Sequence, residues 1–157
     1  MQLHFYNEQF RNAIENYKLT EEQLHYTGHP NECIELSNKD SDRHSILAIE
    51  DEKLVTFFVL HKSEEVVKLY SNNNNSILLR SFSTDSRYQG MGYATRALML
   101  LPEFIKKHFN GTDEIVLAVN VKNEAAQRLY KRCGFIDSGV RKMGSKGELI
   151  LMSYLLF

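Results

Sequence analysis

The sequence predicts an α/β protein of the α+β type, built around one mixed sheet. Three observations indicate this fold class. Short runs of β-branched and aromatic residues predict strands, apolar residues at helical spacing predict helices, and two pairs of strands are separated only by short polar segments, as in β-hairpins. The predicted order is β-α-α-β-β-β-α-β-α-β-β, without an internal repeat or a domain linker. We therefore expect residues 1–157 to form a single domain.

The first half of the chain contains two predicted helices and four predicted strands. Apolar residues at helical spacing predict a helix from about Asn7 to Lys18. The capping-box pattern Thr20-Glu21-Glu22-Gln23 begins a second helix, which we expect to end near Gly28 to Pro30. The four predicted strands of this half are Leu3 to Tyr6, Ser45 to Glu50, Leu54 to His61 and Ile77 to Ser83.

The second half alternates helices with strands. A buried apolar stripe predicts a long helix from Gly92 onward, which Pro102 should kink or split because proline lacks a backbone N–H. A further helix from Asn123 to Cys133 ends at Gly134, a residue type that favours the left-handed conformation after a helix. The predicted strands of this half are Ile115 to Val119 and a final hairpin of Phe135 to Lys142 with Leu149 to Phe157.

Composition excludes several classes of protein. With 43% hydrophobic and 25% charged residues the chain is typical of a globular protein, and no apolar run approaches the roughly 18 residues of a membrane-spanning helix. Lys and Arg number 19 against 20 Asp and Glu, so we expect neither a nucleic-acid surface nor a membrane surface. The only cysteines, Cys33 and Cys133, have no disulfide or zinc spacing and are expected to be free thiols in the cytoplasm.

No metal site is expected. His25, His29 and Cys33 are spaced by four residues, but Gly28 and Pro30 interrupt any helix that would place them on one face.

The stretch Phe82 to Thr95 carries the first functional signal, because an apolar strand there runs through a Gly-rich turn into a helix. Glycines at 90 and 92 let the backbone approach a ligand, and the first N–H groups of the helix are unpaired, which favours an anion. The turn is neither a P-loop nor the dinucleotide fingerprint, since Thr95 stands where a third glycine would be needed. Taken alone, it is also compatible with a helix that merely begins after a tight turn.

A second stretch, Val119 to Phe135, supplies the resemblance. Arg87-x-x-Gly90-x-Gly92 resembles the pyrophosphate-binding turn of the GCN5-related N-acetyltransferase (GNAT) superfamily, and Asn123-x-x-Ala126-x-x-Leu129-Tyr130-x-x-x-Gly134-Phe135 resembles its second motif, in the expected order. By motif the resemblance covers roughly Ile77 to Phe135, and the order of elements agrees along the whole chain.

The resemblance implies a mostly antiparallel twisted sheet of about seven strands with about four helices, and a central parallel pair that splays apart near Thr84 and Asn120. Acetyl-coenzyme A (acetyl-CoA) would lie in that wedge. By resemblance, Phe82 and Thr84 bond the pantetheine arm, and Asn120 and Asn123 bind it or fix the loop. Capping of the helix by Asn123 is the alternative. The residues implied for the pyrophosphate turn are Arg87, Gln89, Gly90, Met91, Gly92, Tyr93, Ala94 and Thr95.

The implied activity is acetyl transfer from acetyl-CoA to a primary amine of a small molecule or peptide, by direct attack in a ternary complex without a metal. Tyr130 matches the tyrosine that protonates the leaving thiolate, although a lone tyrosine at helical spacing is otherwise a core residue. The alternative function is a non-catalytic domain that binds or senses acyl-CoA.

The general base and the acceptor stay open at this stage. Residues 76–84 contain no Asp, Glu or His, so the base is a water chain, a residue such as His61 or Glu32, or absent because the amine arrives neutral. By resemblance the acceptor enters between the segment around residues 21–35 and the last hairpin around residues 143–147. Monomer and homodimer are both compatible with the sequence.

Overall fold

The computed structural model describes all residues, Met1–Phe157, and contains one sheet of seven strands. Their order across the sheet is β1-β2-β3-β4-β5-β7-β6, and every neighbouring pair is antiparallel except β4 with β5. The predicted mixed, mostly antiparallel sheet is therefore confirmed. The strands are β1 (Gln2–Phe5), β2 (Arg43–Glu50), β3 (Lys53–His61), β4 (Ser76–Thr84), β5 (Glu114–Asn120), β6 (Ile136–Gly144) and β7 (Gly147–Leu155).

Six α-helices and two short 3-10 helices connect the strands, where the sequence predicted about four helices. None of them is long and apolar enough to cross a membrane. The α-helices are α1 (Arg11–Glu15), α2 (Glu21–Tyr26), α3 (Pro30–Lys39), α4 (Glu64–Val67), α5 (Tyr93–His108) and α6 (Glu124–Arg132), and the 3-10 helices are Glu8–Phe10 and Ser86–Tyr88.

The N-terminal helices differ from the prediction. The expected helix from Asn7 to Lys18 is a 3-10 turn followed by the short α1, because the side chain of Asn16 bonds the carbonyl of Asn12 and ends the helix there. Helix α2 has the predicted capping box. It ends at Tyr26, close to the predicted end near Gly28 to Pro30, but the helix that follows, α3, was missed. Pro30 occupies the first turn of α3, where the missing N–H has no helical partner to lose. The short helix α4 was also missed.

Helix α5 runs through Pro102 without being split. The predicted stripe is confirmed, since its buried residues are Ala97, Leu98, Leu101 and Ile105. Leu98, Leu101 and Ile105 pack with residues of β4, β5 and α6 in a core of 17 buried residues on one face of the sheet, whereas Ala97 packs with Ala48 and Val55. A second cluster of seven, which includes Ile14 and Cys33, lies on the face covered by α1 and α3. Both faces of the central strands are thus covered by helices.

Candidate active site

Strands β4 and β5 form a wedge. They pair only from Ser76 with Glu114 to Leu78 with Val116, although β4 continues to Thr84 and β5 to Asn120. Beyond Leu78 the two strands separate, and a cavity of about 1190 Å³ opens between their carboxyl ends. The parallel, splayed pair implied by the resemblance is therefore confirmed.

A β-bulge in β4 lies where the wedge opens. Val59 of β3 faces Arg80 and Phe57 faces Ser83, so the single residue Phe58 is opposed by both Ser81 and Phe82. Ser81 has a positive φ of 56°, which is unusual for a residue other than glycine. A bulge leaves backbone groups of the extra residue outside the ladder. Ser81 and Phe82, the two residues of the bulge, both line the cavity.

The Gly-rich turn places unpaired amides at the cavity. Gly90 and Gly92 have φ values of 77° and 81°, and Gly92 is the N-cap of α5 without a side-chain cap. The amide of Arg96 donates to the carbonyl of Gly92 at 3.1 Å, which leaves the three preceding amides of the first turn, residues 93–95, without helical partners. A Cβ atom at either glycine would meet no protein atom within 4 Å. The turn therefore borders open space and is suited to an anion.

Most of the predicted site residues line one cavity. Tyr130 does so, together with ten of the twelve residues predicted for the coenzyme: Phe82, Thr84, Gln89, Gly90, Gly92, Tyr93, Ala94, Thr95, Asn120 and Asn123. The other two, Arg87 and Met91, are absent from the lining. Met91 is 59% exposed. Their contact with the coenzyme stays a prediction.

Arg87 is engaged by a buried carboxylate rather than open to the cavity. Its guanidinium donates to both oxygens of Asp85, at 3.0 and 2.7 Å, and to the carbonyl of Asn16 at 3.0 Å. Its amide also donates to Asp85, at 2.9 Å. Burial by itself would raise the pKa of Asp85, but the hydrogen bonds from Arg87 and from the amide of Lys18 outweigh it and lower the pKa. The ion pair fixes the start of the turn.

The polar residues at the strand ends have internal partners. Asn120 donates to the carbonyl of Lys146 at 3.0 Å and accepts from the amide of Lys122 at 2.9 Å, so it ties β5 to the β6–β7 hairpin. Asn123 accepts from the amide of Ala126 at 3.3 Å and so caps α6, while it also lines the cavity; its contact with the coenzyme stays a prediction. The carbonyl of Thr84 accepts from Gln23 of α2 at 2.7 Å.

Tyr130 is buried, with 8% of its surface exposed, and packs edge-on against Phe82 and Phe135. It is part of the core, as the simpler interpretation required, yet it also lines the cavity. Its hydroxyl makes no hydrogen bond within the chain. The hydroxyl oxygen is nevertheless accessible rather than fully buried, so it faces the cavity. Burial raises the pKa of Tyr130, which keeps the phenol protonated near neutral pH.

The structure distinguishes the two candidate bases, His61 and Glu32, by their positions relative to the cavity. His61 is 2% exposed, does not line the cavity, and has its ring nitrogens facing Arg80 at 3.2 Å and Asp40 at 3.4 Å. Burial, followed by the charges of Arg43 and Arg80, lowers the pKa of His61. His61 is therefore not placed to accept a proton from a substrate. Glu32 does line the cavity.

The remaining cavity wall comes from α2, the segment that follows it, and the β6–β7 hairpin. Residues 22–28 and 144–146 line the cavity, and Lys146 of the hairpin bonds the carbonyl of His25. Sequence reasoning missed Gln23 as a partner of β4, and it missed Arg80 altogether. The one available signal for Arg80 was a charged residue within the apolar run of β4.

No group of three or more His, Cys, Asp or Glu side chains gathers to form a metal site. His29, one of the three residues considered from their spacing, uses both ring nitrogens internally. Its Nε2 donates to the carbonyl of Tyr17 at 2.8 Å, and its Nδ1 accepts from the amide of Asn31 at 3.1 Å.

The sequence as a whole matches known acetyltransferases. Residues 4–135 match the model of the acetyltransferase (GNAT) family. The chain is also 36% identical to YbbJ of Bacillus subtilis, described as an uncharacterized N-acetyltransferase, over 154 residues that span 98% of this chain and 96% of YbbJ. The chain therefore belongs to the acetyltransferase (GNAT) family.

Solved structures with low sequence identity share the fold. Spermidine N-acetyltransferase from Vibrio cholerae, in complex with CoA and spermine, superposes with a TM-score of 0.74 at 19% identity, covering 99% of this chain and 95% of that one. Aminoglycoside acetyltransferase AAC(6')-Ib in complex with coenzyme A gives a TM-score of 0.78 at 12% identity, covering 98% and 94%. The family assignment makes this protein an acyltransferase with acetyl-CoA as its donor and an amine as its acceptor.

Proposed function

We propose that this enzyme acetylates a primary amine of a small molecule or peptide by direct attack within a ternary complex. The observation that carries the proposal is that one cavity has two differently built walls. The turn before α5 and the ends of β4 and β5 form the wall suited to acetyl-CoA, while α2 and the β6–β7 hairpin form the opposite wall. Both substrates therefore have a place at the same time, and no covalent enzyme intermediate is required.

The acetyl donor would be held mainly by backbone groups. The first-turn amides of α5 face the pyrophosphate, and the ends of β4 and β5 flank the pantetheine arm. The ion pair of Arg87 with Asp85 holds the start of this turn in place. These roles rest on the unpaired amides, the open space beside the two glycines, and the resemblance of the motifs.

The chemical step needs an oxyanion site and an acid. The neutral amine attacks the thioester carbonyl carbon, a C–N bond forms, and the negative charge on oxygen is stabilised by backbone N–H groups at the bulge of Ser81 and Phe82. The C–S bond then breaks, the amine nitrogen releases a proton to water, and the thiolate takes the proton of the Tyr130 hydroxyl, which solvent later replaces. The hydroxyl of Tyr130 has no internal hydrogen bond, and burial raises its pKa and so keeps it protonated near neutral pH, which leaves the proton available for this step.

The same observations favour an enzyme over a non-catalytic domain that binds acyl-CoA. A binding domain does not need a protonated phenol directed into the cavity. We also propose that the chain works as one domain in the cytoplasm, where the buried free thiols of Cys33 and Cys133 stay reduced.

The test is release of free CoA thiol from acetyl-CoA with a panel of polyamines, amino acids, aminoglycosides and peptides. The relatives whose names specify an acceptor act on spermidine, an aminoglycoside or a ribosomal protein, so the panel includes each of these chemical classes. We expect at least one amine to accelerate thiol release well above hydrolysis. Tight binding of acetyl-CoA with no transfer to any amine would instead support the binding domain.

A further inference from the structure

Arg80 lies at the point where the wedge opens, on the face away from α5 and α6. It is two residues beyond Leu78, the last residue of β4 that pairs with β5. Its partner across the ladder is Val59, which packs with Ile14 and Cys33 beneath α1 and α3. Because residues directly opposite in a ladder share a face, the side chain of Arg80 belongs to that face.

Arg80 also lines a second, smaller cavity of about 240 Å³ that adjoins the main one. Residues 26–28, Tyr70 and Leu149 form much of its wall. None of the residues of the turn before α5 contributes to it. The smaller cavity therefore lies on the acceptor side of the site, away from the place proposed for the pyrophosphate.

The charge of Arg80 has little compensation within the protein. No Asp or Glu forms an ion pair with it, and its only internal hydrogen bond is from Nη1 to Nδ1 of His61 at 3.2 Å. A guanidinium can only donate, so Nδ1 of His61 is unprotonated and the imidazole is neutral. Asp40 is the acid of this network, but it lies beyond His61, at 3.4 Å from Nε2, and is shared with Arg43 at 3.6 Å.

Burial and the like charge of Arg43 both disfavour the cation, and they lower the pKa of Arg80. The side chain stays charged nonetheless, because an arginine side chain does not lose its proton in proteins. Four of its five N–H donors lack a partner within the chain. Arg80 is half-buried, so its charge is only partly hydrated, and the space beside its free donors is the smaller cavity, where an anion would pair with it.

We propose that the acceptor carries a carboxylate close to its amine, and that Arg80 binds this carboxylate at the smaller cavity. The planar guanidinium matches a carboxylate with two parallel hydrogen bonds. Arg80 directly precedes Ser81 of the bulge, where the thioester carbonyl would lie, so the carboxylate and the attacking amine are separated by only a few bonds. Amino acids therefore fit better than long polyamines. This inference rests on the proposed acetyl transfer, and the carboxylate itself is chemically unchanged.

The experiment compares matched acceptors with the wild-type enzyme. Each amino acid that supports thiol release is assayed beside its primary carboxamide and its decarboxylated amine. We expect kcat/KM to be at least tenfold higher for the acid, mostly through a lower KM. The carboxamide has the less basic amine and so supplies more neutral nucleophile near pH 7, which means that a preference for the acid runs against intrinsic reactivity.

Two variants assign the preference to Arg80. In Arg80→Gln the ratio between acid and carboxamide should fall to within threefold of one, with the change in KM larger than the change in kcat. Arg43→Gln is the matched control, because it removes a neighbouring cation that does not line either cavity. It should keep at least half of the wild-type ratio.

A direct binding measurement covers the case in which Arg80→Gln does not fold. Calorimetric titration of the wild-type CoA complex should show the N-acetylated amino acid binding at least tenfold more tightly than its carboxamide. Equal binding, or carboxamides acetylated as efficiently as the acids, would overturn the carboxylate site and leave the proposed transfer standing. Tight acetyl-CoA binding without transfer to any amine would overturn both proposals.

Discussion

Replacing Tyr130 with phenylalanine tests the proposed acid while removing a single oxygen atom. The hydroxyl makes no hydrogen bond within the chain, whereas the ring packs against Phe82 and Phe135 and is unchanged by the substitution. Loss of the oxygen should therefore change the free energy of unfolding by less than about 0.5 kcal/mol. Turnover should fall by roughly 10- to 1000-fold, which corresponds to about 1.4 to 4 kcal/mol in activation free energy.

Tyr17→Phe is the matched control, since Tyr17 is equally buried but its hydroxyl is fully used. It bonds the carbonyl of Ser83 at 2.8 Å and the hydroxyl of Ser83 at 2.9 Å, and Tyr17 does not line the cavity. Removing this oxygen leaves buried partners unsatisfied and should destabilise the protein by about 1 to 3 kcal/mol. At about 2–4 °C per kcal/mol for a chain of this size, Tm should fall by several degrees.

The assays are steady-state thiol release with a confirmed amine and thermal unfolding of both variants. We expect opposite patterns: a large loss of kcat with an almost unchanged Tm for Tyr130→Phe, and a lowered Tm with a much smaller loss of kcat for Tyr17→Phe. If Tyr130→Phe retains full kcat, then Tyr130 is a core residue only and another group, or water, protonates the thiolate.

Three further predictions concern the turn, its buried acid and the base. Gly92→Glu should weaken acetyl-CoA binding more than tenfold in calorimetric titration. The control is Gly111→Glu, at a similar φ of 82° with equally open surroundings, whose affinity for acetyl-CoA should stay within twofold of the wild type. Equal affinities of the two variants would exclude the turn as the pyrophosphate site. Because the pKa of Asp85 is lowered in the folded state, its ionised form contributes stability above its unfolded pKa of about 4 and loses it as pH falls through the lowered value. The free energy of unfolding, measured with urea, should accordingly differ less between wild type and Asp85→Asn below about pH 4. A difference that stays constant with pH would contradict this contribution of the ionised carboxylate. With His61 outside the cavity, turnover at saturating acetyl-CoA should rise from about pH 6 to 9 with an apparent pKa that follows the acceptor amine, whereas one fixed value for amines of different basicity would indicate an enzyme base.

The parts of the fold that sequence reasoning predicted well are those with strong local signals. The hairpins, the stripe of α5 and the turn at Gly90 and Gly92 depend on residue types within a few positions of one another. Helix α3 was missed because Gly28 and Pro30 were taken as interruptions. At the first turn of a helix proline is favourable, and His29 supplies the cap through its Nδ1, a role that its residue type does not suggest.

The features of the site that were not predicted depend on contacts between distant segments. The bulge at Ser81 exists only as a mismatch in count between β3 and β4, which neither strand reveals alone. Arg80 could not be placed without knowing that it faces Val59 rather than the core under α5. Tyr130 illustrates the opposite case, because the core interpretation and the catalytic interpretation agree on its burial and differ only in where one oxygen points.

The two walls of the cavity are connected by hydrogen bonds at the end of β4, which explains how the site keeps its geometry although β4 and β5 separate. Four consecutive residues, 83–86, each bond either α2 or the segment that leads into it. Since these bonds join the strand proposed to flank the acetyl donor to the wall proposed to face the acceptor, the proposed site has one short segment that positions both substrates relative to one another. The bonds are from Tyr17 to the carbonyl of Ser83, from Gln23 to the carbonyl of Thr84, from the amide of Lys18 to Asp85, and from the amide of Ser86 to the carbonyl of Lys18.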